Sequence, residues 1–68
     1  MNEDKFNMSL RRFLKEVGVT SQHQIEKAVE TALSSGRLQN KKQLRACMTL
    51  EVGDVELHHV VEGVIDLD

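Results

Sequence analysis

His58 and His59 stand side by side, and with His23 and Cys47 they are the side chains best suited to hold a metal or attack an electrophile. Their spacing speaks against both. In a strand, neighbouring side chains point to opposite faces, so His58 and His59 cannot share one metal within one chain. His59 has the parity of the surrounding apolar residues and reads as a core-edge histidine, while His58 falls on the other face within reach of Glu56 or Glu62. A metal needs three or four converging ligands, and no Cys/His set here has zinc spacing. Cys47 is a single cysteine beside Arg45; an activated thiol needs a helix N-terminus or a cation with a general base, and nothing places one there. Nucleophile–base spacing and a phosphate-binding glycine loop are both missing. The sequence therefore points to no catalytic residue, no metal and no cofactor: not an enzyme.

The elements that carry these residues are legible from a change of hydrophobic period. Up to about Gly36 apolar residues recur every three to four positions, and from Leu44 they recur every second position. A first helix is expected from about Glu3 to Val17, capped by Asn2, with Glu3 and Asp4 at the positive end of its dipole. Phe6, Leu10, Phe13, Leu14 and Val17 form its apolar stripe, and Gly18 is expected to end it as a left-handed cap. A second helix is expected from about Gln22 to Ser35, opened by the capping-box pair Ser21 and Gln24 and closed by Gly36. Ile25, Ala28, Val29, Ala32 and Leu33 make its buried face.

Beyond the polar Gln39–Gln43, Leu44, Ala46, Met48, Leu50 and Val52 share one face of a strand. After the turn signal Gly53-Asp54, Val55, Leu57, Val61, Ile65 and Leu67 share one face of a second strand. A two-residue loop pairs Val52 with Val55, and a four-residue loop pairs Val52 with Leu57; both align the apolar faces. The longer loop is preferred, because the shorter sets Glu51 against Glu56. Leu57, Val60, Val61, Val64 and Ile65 also fit a helical stripe; the β-branched density, Gly63 and the need of the first strand for a partner favour the strand.

The segment Gly18-Val19-Thr20-Ser21 between two helices invites comparison with a helix-turn-helix, with the hairpin as a wing. Its would-be recognition helix begins Gln22-His23-Gln24 and continues through Glu26 and Glu30, and the wing carries Glu51, Asp54, Glu56 and Glu62. Phosphates would repel such a surface. Nucleic-acid binding of the winged-helix kind is therefore the second hypothesis, allowed by topology and opposed by charge.

Composition sets the outer limits. Sixty-eight residues, 40% hydrophobic and 29% charged, suit one ordered domain spanning 1–68, near the lower size limit for folding alone. One cysteine excludes an internal disulfide, so association is the remaining stabilising device. A net charge of −2 gives no general pull toward nucleic acid or anionic lipid. The acidic opening residues and the lack of a long apolar run predict neither a signal peptide nor a membrane span, and a lone cysteine fits the cytoplasm.

The opening MNEDKFNMSLRRFLKEVGVTSQ and the closing HHVVEGVIDL resemble the two most recognisable stretches of a family of short bacterial proteins of unknown function. The resemblance implies a compact standalone domain and carries over no activity, cofactor or site; within it Cys47 and His58 are incidental.

Together these features predict an α+β fold in the order α-α-β-β, two amphipathic helices packed on one face of an antiparallel hairpin. The other face gathers Cys47, Thr49, Val60 and Val64, more apolar than a solvated surface requires. That patch is the expected interaction site of a homodimer or of a module that binds another, unidentified protein.

Overall fold

Asn2 begins the structure's main helix as expected. In the computed structural model, which describes Met1–Asp68, its side chain accepts a hydrogen bond from the Lys5 amide at 3.0 Å. Helix α1 then runs without a break from Glu3 to Ser34, 32 residues, or about 48 Å at 1.5 Å per residue. The expected pair of helices is one helix, and the fold is corrected accordingly: α+β, with one helix before the hairpin rather than two.

Continuity through Gly18–Ser21 has a physical reason. Gly18 has no left-handed φ, so it costs a helix only about 1 kcal/mol relative to alanine. Thr20 satisfies its hydroxyl inside the helix, donating to the Glu16 carbonyl at 2.7 Å. A break would instead create two new ends with four orphan amides and four orphan carbonyls. No proline forces one. The two predicted stripes are also in phase: Phe6, Val17 and Ala28 lie eleven residues apart, as do Leu10, Ser21 and Ala32, and Leu14 and Ile25. Eleven residues are three helical turns, so these positions form one nearly straight line.

The far end matches the expectation at Gly36. Ser35 is the C-cap, Gly36 has φ +77°, and its amide and that of Arg37 donate to the Leu33 and Ala32 carbonyls at 3.2 and 3.0 Å. This is a Schellman motif, which only a residue tolerant of positive φ closes without strain.

The second unit is the hairpin. Strands β1 (Gln43–Val52) and β2 (Leu57–Asp66) pair antiparallel with Val52 opposite Leu57 and Gln43 opposite Asp66. Leu57–Asp66 is thus extended, and the loop is the four-residue one. Gly53–Val55 form a 3₁₀ turn, and Glu56 enters β2 in the left-handed region with φ 53° and its amide bonded to the Gly53 carbonyl at 3.1 Å. In this register Glu51 faces His58, not another glutamate. The open end is tied by Gln43 Nε2 donating to Asp66 Oδ1 at 3.2 Å and by the Leu67 amide donating to the Lys42 carbonyl at 2.8 Å.

The chain divides into two units, Met1–Leu38 and Gln39–Asp68. Neither contains a buried residue. One helix, or one two-stranded sheet, has no interior of its own.

Candidate interaction surface

The hairpin register decides which candidates meet. Cys47 lies opposite Glu62, Thr49 opposite Val60, and Arg45 opposite Val64. Alternation therefore puts Cys47, Thr49, Val60 and Val64 on one face, with Val60 44% and Val64 59% exposed. Charge interrupts this patch. Arg45, Cys47, Glu62 and Val64, with Ala46 and Gly63, line an open depression of about 410 Å³, and Glu51 and His58 flank Thr49 and Val60. The depression is a shallow dent in a two-stranded sheet, without the enclosure that buries a small ligand. Cys47 is a free, exposed thiol.

The other hairpin face is more apolar. Leu44, Ala46, Met48 and Leu50 face Ile65, Gly63, Val61 and His59 across the ladder. His59 thus joins the apolar set and His58 the opposite face, so the adjacent histidines diverge. No group of three or more His, Cys, Asp or Glu side chains is placed to hold a metal ion. His23 lies on α1, 3.9 Å from Glu26 across one turn, both exposed; such a pair contributes little.

A further set of exposed apolar side chains, on α1, was assigned by the sequence to an interior. Phe13 and Leu14, expected to be core residues between two helices, are each 49% exposed, and Phe6, Leu10 and Ile25 are exposed beside them. With one helix in place of two, α1 has no second helix of its own chain against which to lay this stripe. The signal that reveals it is the common phase of the residues before and after Gly18. The turn that a helix-turn-helix requires is likewise helical, which removes the topological premise of the winged-helix reading.

No helix of the chain is long and apolar enough to cross a membrane. Fold and surface thus define a small α+β protein, one long amphipathic helix and one hairpin, distinguished by exposed apolar surface on both. Residues 1–68 match the family of unknown function DUF6494, and the chain belongs to that family. Comparison with curated proteins and comparison with solved structures each find no match.

Proposed function

We propose that this chain is a non-catalytic protein-interaction module of the cytoplasm that assembles as a homodimer. One observation carries the proposal: no residue of either unit is buried, although large apolar side chains line both. The element types support a second copy: neither a lone helix nor a lone two-stranded sheet has an interior for such side chains. Association with a second copy removes that surface from water at roughly 25 cal/mol per Å². The divergence of His58 and His59 and the shallow depression beside Cys47 support a role without catalysis. The unpaired thiol suits a reducing compartment.

The test is the solution mass. Sedimentation equilibrium at micromolar concentration should give twice the 7.7 kDa chain mass. A mass of one chain at every concentration up to hundreds of micromolar would overturn the proposal.

A further inference from the structure

We infer that two copies of this chain pair edge to edge through β1, antiparallel about a two-fold axis at Met48, so that their two-stranded sheets join into one. This rests on the dimeric reading above and adds one of its contacts. β1 pairs with β2 along one edge, and no strand lies along the other. The Leu67 amide bonds to the Lys42 carbonyl opposite it at 2.8 Å, and the register continues in step from there to Val52 and Leu57. Opposite residues of an antiparallel ladder alternate between exchanging hydrogen bonds and making none. Leu44, Ala46, Met48, Leu50 and Val52 therefore direct their N–H and C=O groups to β2, and Gln43, Arg45, Cys47, Thr49 and Glu51 direct theirs to the outer edge. No hydrogen bond within the chain satisfies those outer groups. The strand also lacks what keeps an edge single: within Gln43–Val52 there is no proline, no lysine and no bulge.

Hydrogen bonding and charge select the register. An outer residue can bond only an outer residue of the second copy, so the apolar positions of the two strands always fall on the same face. With Met48 on the axis, Leu44 meets Val52, Ala46 meets Leu50 and Met48 meets itself. On the other face Cys47 meets Thr49 and Arg45 meets Glu51, and symmetry repeats both pairs. Arg45 and Glu51 are the charged side chains of β1; both are exposed, and neither takes part in an ion pair within the chain. A register centred on Cys47 would set Glu51 against Gln43 and Arg45 against Thr49. One centred on Thr49 would carry Arg45 past the end of the strand, opposite Gly53. The outer edge of β2 fits itself less well. His58, Val60, Glu62, Val64 and Asp66 direct their backbone groups there, with carboxylates but no lysine or arginine, and Gly63 leaves a gap in the apolar face. Pairing β1 with β2 of the next copy repeats without closing and builds a fibre, whereas β1 on β1 is self-complementary and stops at two copies.

Disulfide trapping in a glutathione redox buffer reads the register in the full chain. Met48→Cys with Cys47→Ser should form a covalent dimer, because facing residues at the axis lie within disulfide reach, about 4.5 Å between Cα atoms. The parental chain should stay uncoupled, because Cys47 and its copy are diagonal neighbours, roughly 7–8 Å apart. Coupling through the native Cys47 would centre the pairing there and overturn the inference. Charge reversal reads the same contact without oxidation. Arg45→Glu should weaken the dimer about tenfold by setting two carboxylates together, and adding Glu51→Arg should restore it. The two positions lie about 20 Å apart along one strand, so restoration cannot arise within a single chain. Val60→Glu with Val64→Lys should keep the parental mass; conversion of that variant to a monomer would move the interface to its face and equally overturn the edge pairing. A dimer in which Met48→Cys fails to couple, or in which Glu51→Arg restores nothing, overturns the edge pairing and leaves the dimeric reading intact. A monomer throughout removes both.

Discussion

Gly18 and Gly36 share a side chain and differ in conformation, and the difference can be measured. Gly36 holds φ +77°, while Gly18 sits in regular helix with nothing within 4 Å of where a Cβ would stand. Gly18→Ala should therefore stabilise the chain by about 1 kcal/mol, and Gly36→Ala should destabilise it by about 1 kcal/mol. Thermal denaturation at one fixed protein concentration reads both; destabilisation by Gly18→Ala would mean a left-handed cap at that position after all. Glu56 is the mirror case, a non-glycine residue at φ 53°. Glu56→Gly should relieve the strain, net of glycine's greater unfolded-state freedom, for a gain of about 0.5 kcal/mol, visible in the same experiment. At this scale Asn2 and Gly36 were readable in advance because caps are local hydrogen-bonding problems. Gly18 was not, because a glycine that ends a helix and one that lies within it are the same residue in different backbone conformations.

Among elements, the helix and the hairpin differ in how far local signals decide them. The parity of apolar residues in Leu44–Val52 and Leu57–Ile65 admitted only loops of even length, and the Glu51–Glu56 clash selected the four-residue one that the structure contains. The helix obeyed a competition instead. Val19, Thr20 and Ser21 are weak helix formers, yet their combined penalty is about 2 kcal/mol or less, smaller than the loss of the hydrogen bonds that span the segment. Amide hydrogen exchange should show Val19–Ser21 protected to the same degree as the residues on either side. Fast exchange confined to those three would restore a chain with two helices. A stripe in one phase across Gly18 was present in the sequence all along; the capping-box pair Ser21 and Gln24 drew attention to a boundary that the backbone does not make.

For the whole molecule, the proposed consequence is association. On the proposed dimer, a chain with no buried residue gains its apolar burial by mass action. Its melting temperature should therefore rise with protein concentration, by a few degrees for a tenfold increase, and scanning calorimetry across that range should detect it. A melting temperature independent of concentration would show that the single chain is sufficient. Phe13→Ala then becomes a variant with two readouts. A half-exposed Phe13 contributes less to the isolated chain than the roughly 3–5 kcal/mol of a buried phenylalanine, and its larger effect should fall on the dimer dissociation constant. The patch of Cys47, Thr49, Val60 and Val64 was placed correctly on one face by alternation alone, but charged residues flanking it reduce its apolar extent beside the helical stripe.

By itself the sequence determined the features that depend on neighbours in the chain: the caps at Asn2 and Gly36, the switch from helical to alternating period near Leu44, the pairing of the strands, and the divergence of His58 from His59. Each arises from backbone hydrogen bonding or side-chain periodicity over a few residues. Only the tertiary structure decided that Gly18–Ser21 is helix and that Phe6, Leu10, Phe13 and Leu14 are exposed. Those outcomes depend on the balance between backbone groups orphaned at a break and the apolar surface that folding back would bury. That balance is a difference of a few kcal/mol between two large terms, and no local pattern contains it.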